Sequence, residues 1–445
     1  MSLAQRRAEA HRLLWRAGFG PRPGDVERLA RMSREQAVHS LTRPRGAPHL
    51  VGPEPHHQDG TPLAPFDRYG DDQLWWLDRM VRSDQPLVER LTLVFHDWFA
   101  TSNEKVDSQH QMIDQNNLLR THALGSFADL FYAITVDPAM LIWLDGSSNT
   151  KDDVNENYGR EMMELFSLGA DRGAYTEQDV REQARALSGW TSDWSDGQGN
   201  SNFRYEPGLH DDQPKTVFGK QGAWGWRDAV RLCLEHPLHP SFFVTKLWSY
   251  FIPAPPSAST VAALSRTYKN SKYSIRAVLE AILLNETFYS GPMMVKPPVV
   301  YAAGLLRAVG RGVDTDDWVG HAEQTGQVLF HPPNVSGWTK DRWLDTSTFK
   351  GRWETAEAAI DPLHIVPDDS QHPYSAVETP EQALAAALRF AGDPPLSAAT
   401  ASYLLAFARS CMPPPSYKGE ESKLRALRQN ALRHLILTCP DYQVS

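Results

Sequence analysis

The chain has 445 residues, 41% of them hydrophobic and 22% charged, which is typical of globular proteins and excludes a disordered chain. Its formal charge of −9 argues against nonspecific nucleic-acid binding, because phosphates are bound by basic surfaces. Cys233, Cys411 and Cys439 are too far apart in sequence to indicate a disulfide framework or a zinc site. No apolar run approaches the roughly 20 residues of a membrane span, and the first residues lack a signal-peptide pattern, so we expect a cytoplasmic protein.

Helical periodicity dominates the chain and predicts an all-α protein with many helices. Ser33 and Gln36 are spaced as a capping box at the start of a short helix. Pro86 suits the first turn of a helix over 86–101, whose apolar residues recur at helical spacing. The same periodicity predicts helices over 111–124, 127–135, 155–168, 177–189, 227–235, 241–251, 259–269, 274–285, 295–309, 381–391, 397–410 and 420–436.

One segment departs from the helical pattern. Phe203 and Tyr205 alternate with polar residues, and Val217 does so more weakly. They predict a short two-stranded ribbon near 202–219, carrying a loop with His210 and Asp211.

Three segments are predicted to be loops because they are rich in Pro, Gly, Ser, Asp or His: 44–66, 191–201 and 361–380. The last is interpreted as a linker. It would divide a main helical domain of residues 1–360 from C-terminal helices in 381–445 that pack on it.

The predicted helix 155–168 concentrates polar groups beside a strongly apolar stripe. Its polar residues are Asn155, Glu156, Asn157, Arg160, Glu161 and Glu164. Asn155 is placed to cap the helix, and Arg160 lies four residues from a glutamate on either side. The cluster could be a buried site for acid–base chemistry or for a cation. It could also be the charged outer face of an ordinary helix, where ion pairs contribute little.

Further polar candidates lie elsewhere in the chain. His210 beside Asp211 is typical of a metal ligand or a tuned base, although Asp-rich turns are also common without such a role. Lys215 could contact an anionic ligand. Lys246 lies in a nearly apolar stretch, so its ammonium group must reach solvent or a carboxylate. His96 is interpreted as a core histidine bonded to a neighbour.

The apolar residues of 155–168 predict that this helix lies inside the fold. Its carboxylates then need partners, because an isolated buried charge is costly. We expect at least one of four cationic side chains within hydrogen-bond reach of these carboxylates. The four candidates are His96, His210, Lys215 and Lys246.

Segments in order along the chain resemble the bacterial family catalogued as domain of unknown function 1800. The most specific resemblance is Asn155-Glu156-Asn157 followed by Arg160-Glu161 and Glu164-Leu165-Phe166, with Gly159 standing where the family usually has Ala. Other similar segments are 95–102, 137–151, 175–180, 184–190, His210-Asp211, Lys215-Thr216, His236-Pro237, Lys246-Leu247 and 332–338. The resemblance runs from about Leu13 to about Arg352.

The resemblance implies an all-α fold and no settled activity. Members of the family are often found beside proteins that look like alkaline phosphatases and sulfatases, which implies such a protein as a possible partner. Many members look exported, which implies export as the alternative location.

Two functions remain open at this stage. The first is an enzyme, and metal-assisted hydrolysis is the class of reaction that needs the fewest further assumptions about these residues. Its catalytic residues would be Glu161, Glu164, Arg160, His210 and Asp211, with Asn155, Glu156, Asn157, Lys215 and Lys246 binding the ligand and a divalent metal as a possible cofactor. The second is a non-catalytic partner or scaffold for the phosphatase-like protein, in which the same cluster is a structural network. An open pocket with unpaired carboxylates would favour the enzyme, and a paired cluster would favour the scaffold.

Overall fold

The computed structural model describes residues 2–197, 199–366, 378–411 and 421–445. Within these residues the chain forms helices α1 to α22, a π-helix and two small two-stranded sheets, which confirms the all-α class. None of the described helices is both long and apolar enough to cross a lipid bilayer.

The helices and strands follow one another with short connections. The first part contains α1 (Leu3–Arg16), α2 (Asp25–Ala30), α3 (Arg34–Thr42), α4 (Asp71–Arg82), α5 (Pro86–Trp98), α6 (Asn103–Val106), α7 (Gln109–His122), α8 (Phe127–Thr135), α9 (Pro138–Trp143), α10 (Asn157–Glu161), the π-helix (Met162–Leu168) and α11 (Glu177–Leu187). Next come β1 (Trp190–Ser195), β2 (Gly199–Tyr205), β3 (Lys215–Val217) and β4 (Lys220–Gly222). The rest contains α12 (Trp226–Glu235), α13 (His239–Ser249), α14 (Ala258–Asn270), α15 (Ile275–Leu283), α16 (Glu286–Ser290), α17 (Pro298–Val309), α18 (Asp317–Thr325), α19 (Thr346–Ile360), α20 (Pro380–Phe390), α21 (Ala398–Ser410) and α22 (Glu421–Thr438).

Local sequence explains where several helices begin. The predicted capping box of Ser33 and Gln36 is present, and Pro86 stands in the first turn of α5. Thr176 and Thr379 make equivalent caps for α11 and α20. Helices such as α4 and α19 were missed by periodicity. The first has Gly70 at its N-cap without a side-chain bond, and the second begins with Thr and Ser residues of low helix propensity.

The strands pair differently from the predicted ribbon. Strand β2, which carries Phe203 and Tyr205, pairs antiparallel with β1. Strand β3, which carries Val217, pairs with β4 in a separate sheet. The prediction of a loop over 191–201 is wrong, because most of β1 and the start of β2 lie there. Strand β1 is half-buried over its first three residues and exposed over its last three, so it lacks the alternation of a half-buried strand.

The core consists of two hydrophobic clusters that share helices. One is centred on aromatic residues of α5, α8 and α13 such as Trp98, Phe127 and Phe243. The other joins Trp15 of α1 and Tyr301 of α17 to C-terminal residues that include Leu432, Ile436 and Tyr442. The division at 361–380 stays a prediction, and 367–377 of that segment lie outside the described residues.

Asp97 at the end of α5 ties three parts of the chain together. Its Oδ1 accepts a hydrogen bond of 2.8 Å from the Trp338 amide. Its Oδ2 accepts one of 2.8 Å from the Tyr250 hydroxyl and lies 3.3 Å from the Lys340 ammonium. Gly337 makes this docking possible, because its φ is +88° and a Cβ there would lie 2.1 Å from Asp97 Oδ1.

The expectation for His96 is wrong in one respect. The residue is fully buried, but neither ring nitrogen has a hydrogen-bond partner in the part of the chain that the structure describes. Its ring instead packs against Trp76, Phe330 and Trp338. Burial lowers its pKa to about 3, so it is held as a neutral ring among aromatic neighbours.

We expect Gly337→Ala to destabilise the protein by at least about 2 kcal/mol, because it combines a left-handed backbone with a steric clash at Asp97. Chemical denaturation measures the change. The matched control is Gly208→Ala, where a Cβ would meet no atom within 4 Å. Equal stabilities of the two variants would show that the Asp97 contact does not hold the 337–340 segment.

Candidate functional site

The predicted helix 155–168 is a short α-helix that continues directly into the π-helix. It begins at Asn157, whose main-chain amide donates a hydrogen bond of 2.9 Å to the side-chain oxygen of Asn155. Tyr158, Met162 and Phe166 are buried on its apolar side, while its polar residues are half-buried. Gly159 allows close packing on α11, because a Cβ there would lie 3.0 Å from the Val180 carbonyl oxygen.

The first polar group on this helix is an ion-pair network with α11. The Glu156 carboxylate accepts hydrogen bonds from Arg160 and Arg181, at 3.3 and 3.2 Å. Arg160 also donates two hydrogen bonds to Glu177, at 2.9 and 2.7 Å. Its hydrogen bonds to Glu177 raise the pKa of Arg160. These side chains are substantially exposed, so the network adds orientation and little stability.

Glu161 and Glu164 are less fully paired. Glu164 accepts a hydrogen bond of 3.2 Å from the Tyr175 hydroxyl. Glu161 accepts no hydrogen bond from any described residue. Burial, with the nearby Glu164 charge second, raises the pKa of Glu161. Asn157 points elsewhere and donates to Asp145 at 3.3 Å.

The second polar group is the loop before β3. His210 Nδ1 lies 2.9 Å from the Ser188 carbonyl oxygen, and Asp211 accepts a hydrogen bond of 2.6 Å from Arg185 of α11. Lys215 is buried and donates to the carbonyl oxygens of Asp211 and Gln213. These contacts hold the loop against the end of α11.

The structure therefore places both polar clusters against one helix, α11. The ion-pair network around Arg160 and the loop before β3 do not join into one site. Among the described residues, the expected pairing is wrong. None of His96, His210, Lys215 and Lys246 donates a hydrogen bond to Glu156, Glu161 or Glu164. Arginines of α10 and α11 and one tyrosine are the partners instead, and sequence spacing alone could not place α11 between the groups.

The metal hypothesis for these residues does not match their arrangement. No three of Glu161, Glu164, His210 and Asp211 bring ligand atoms within 4.8 Å of one another. In the described chain, that spacing is met by Glu357, Asp361 and His364, which lie at the surface near the end of α19. Exposed acidic groups are common without a metal.

Lys246 belongs to a third arrangement, at the C-terminal end of the π-helix. The last carbonyl groups of a helix have no partner within the helix. Here they lie in the core, and four side chains donate to them in turn. Lys246 bonds the Leu165 oxygen at 2.8 Å, Trp98 the Phe166 oxygen at 3.1 Å, His239 the Ser167 oxygen at 2.9 Å and Arg172 the Leu168 oxygen at 2.8 Å.

Burial lowers the pKa of two of these donors. Desolvation lowers the pKa of Lys246 to about 7, although Asp97 opposes the shift, and its ammonium group lies 4.7 Å from the centre of the Trp98 ring. Burial lowers the pKa of His239 to about 4, and its other ring nitrogen bonds the Tyr268 hydroxyl at 2.9 Å. A neutral His239 can therefore donate through Nδ1 and accept through Nε2.

A cavity that no sequence pattern indicates lies between α1, the 289–296 segment and residues 441–445. Its volume is about 540 Å³. Its walls are largely apolar and include Trp15, Tyr289, Met293, Pro395, Leu396 and Val444. Such a volume falls within the range of small-molecule pockets.

Two buried bases line this cavity. His11 is 5% exposed, and its Nδ1 has no partner among the described residues. Burial, with the Lys296 charge second, lowers the pKa of His11 to about 4. Lys296 donates to the Tyr442 carbonyl oxygen at 2.6 Å and lies 3.6 Å from the centre of the Trp15 ring. Residues more than 400 positions apart form this site, so no local pattern could reveal it.

The family model described as "Protein of unknown function (DUF1800)" matches residues 12–444, and the chain belongs to this family. The match extends past 380, where periodicity alone had supported the helices. Neither curated proteins nor solved structures gave a match.

We expect the destabilisation caused by His239→Gln to shrink as the pH falls from about 7 to about 5. The folded pKa of His239 lies below its unfolded value of about 6.5, so its contribution is complete above that value and is lost as the pH falls toward 4. The shrinkage should reach up to about 2 kcal/mol. Urea denaturation at both pH values measures it.

The exposed His49 supplies the matched control, since His49→Gln should change stability little at either pH. A cost of His239→Gln that is independent of pH over this range would mean that folding does not lower the pKa of His239.

Proposed function

We propose that this chain is a binding protein for a small, largely apolar molecule, which it holds in the cavity beside α1. The observation that carries the proposal is the cavity of about 540 Å³, whose walls are largely apolar. Such a volume with apolar walls suits a small molecule that removes its own apolar surface from water on binding.

The chemistry of the walls indicates the class of ligand. Trp15, Tyr289 and Leu396 offer flat apolar surface, which suits an aromatic body. Arg12 is held by backbone carbonyl oxygens of Phe288 and Gly291, at 3.4 and 3.3 Å, so it is not free to recruit a charged ligand. A neutral aromatic molecule fits these features.

The paired state of the predicted catalytic cluster supports a non-catalytic role for it. Glu156, Asp211 and Lys215 are each engaged by residues or carbonyl groups beside α11. We interpret the cluster as a network that fixes helix packing. A protein partner similar to phosphatases and sulfatases stays a prediction of the family resemblance.

We expect the purified protein to bind the neutral aromatic probe N-phenyl-1-naphthylamine with increased probe fluorescence. Met293→Trp should weaken binding at least about tenfold, or about 1.4 kcal/mol, because the larger side chain fills the cavity. Met293 is 50% exposed, so the change should leave the fold intact.

The matched control is Leu427→Trp, which adds the same side chain at an exposed position outside the cavity. Binding that is absent, or equally strong in both variants, would contradict a ligand site beside α1.

A second candidate function rests on Glu161. A half-buried carboxylate with a raised pKa and no hydrogen-bond donor among the described residues suits a general acid or base. In this candidate Glu164, held by Tyr175, would assist Glu161, and the chain would be a hydrolytic enzyme with or without a divalent metal.

Hydrolysis of p-nitrophenyl acetate and p-nitrophenyl phosphate, with and without divalent metal, separates the two candidates. For a binding protein we expect no turnover that depends on Glu161. Turnover that falls at least about 100-fold in Glu161→Gln and persists in Glu156→Gln, with equal thermal stability, would establish the enzyme instead. Elemental analysis of the same samples would show whether metal accompanies the activity.

A further inference from the structure

A small cavity lies along one face of α5, on the other side of the 293–297 segment from the cavity beside α1. Arg90, Val94 and Asp97 are at positions i, i+4 and i+7 of the helix, so they share this face. Tyr250, Gln327 and Lys340 complete much of the wall. The volume is about 30 Å³, enough for about two water molecules.

Arg90 is 4% exposed, yet its side chain makes a single hydrogen bond, of 3.3 Å from Nε to the Arg16 carbonyl oxygen. Neither of its Nη atoms has a hydrogen-bond partner in the described residues. Other buried arginines differ. Arg16 and Arg352 both donate through their Nη atoms to main-chain or side-chain oxygens. Arg90 therefore keeps both Nη atoms, with four N–H donors, unused in the wall of a cavity.

Arg90 has no ion-pair partner in this cavity among the described residues. Asp97 is the carboxylate that lines it, and its oxygens already accept bonds from Trp338 and Tyr250 and an ion pair from Lys340. Arg90 comes no closer to it than the 4 Å of an ion pair, although the Asp97 charge acts on Arg90. A buried guanidinium group without a direct carboxylate partner is costly unless an anion compensates it.

Gln327 offers a further free donor. Its Oε1 accepts a hydrogen bond of 3.1 Å from the Val299 amide, which orients the side chain. Its Nε2 makes no hydrogen bond to a described residue, and the residue is buried in the cavity wall. An amide donor beside a guanidinium group is a common arrangement for an oxyanion.

We propose that this cavity binds a carboxylate group, held by the Nη atoms of Arg90 with Gln327 beside them. A guanidinium group binds the two oxygens of a carboxylate with two parallel hydrogen bonds. The volume of about two water molecules matches those two oxygens. Lys340, whose side chain is 45% exposed, marks the open side from which the rest of the ligand extends.

The test replaces sodium chloride by sodium acetate at constant ionic strength and neutral pH, with the full chain, and follows thermal unfolding. Acetate should raise the Tm by at least about 1 °C in a saturable manner, because it binds the folded protein alone. Phosphate and sulfate should not raise the Tm in this way, since their four oxygens exceed the space in the cavity.

Two variants assign the effect to the cavity. Arg90→Met should abolish the acetate shift while its own Tm in chloride stays equal to or above that of the parent chain, because an uncompensated buried charge is removed. Lys340→Met should reduce the shift. Lys350→Met is the matched control, an exposed lysine outside the cavity that should retain the full shift.

The proposal is overturned if acetate gives no saturable shift, or if Arg90→Met retains it. A shift from phosphate or sulfate as large as that from acetate would also overturn it, because the site would then accept larger anions. Should Arg90→Met fail to fold, an unchanged shift in Lys340→Met would count against the proposal in the same way. These outcomes are independent of the aromatic ligand proposed for the other cavity.

Discussion

The rest of the structure depends on pairing the buried carbonyl groups at the end of the π-helix. A helix normally ends at the surface, where water satisfies its last carbonyl oxygens. The last residues of this one, Phe166, Ser167 and Leu168, are buried, so an unpaired oxygen there would cost about 1–3 kcal/mol. The donors are Trp98 of α5, His239 and Lys246 of α13, and Arg172, and they hold α5 and α13 around one point.

The same need to pair buried carbonyl groups explains the role of several polar residues in the segments that resemble the family. Lys246 looks like a ligand-binding residue in an apolar stretch, but its ammonium group completes a helix end. Lys215 plays a similar part for the loop before β3, where it bonds two carbonyl oxygens. A polar residue in a motif can therefore serve the main chain, since a buried peptide group needs a partner as much as a substrate does.

Two cavities lie on either side of the extended 293–297 segment, which pairs with 443–445 through the main chain. The larger one is walled by α1 and the smaller by α5, and Arg16 of α1 accepts the bond from Arg90 of α5. The large cavity is mostly apolar with neutral His11, whereas the small one is lined by Arg90, whose Nη atoms have no partner among the described residues. This difference in chemistry is the basis for the two proposals, an aromatic body in one cavity and a carboxylate in the other.

The sequence by itself determined the all-α class, the starts of helices such as α3 and α5, and the family. Those features depend on local spacing, which includes periodicity, caps and ordered motifs, and local spacing survives without knowledge of the fold. It also singled out helix 155–168, which does pack with a buried apolar side. The pairing of its carboxylates could not be predicted, because Arg181 and Tyr175 are provided by a neighbouring helix and loop whose placement is tertiary. Tertiary structure alone decided the two ribbons, the neutral state of His96, the use of Lys246, and both cavities, since each depends on which distant residues come together and how far water is excluded from them.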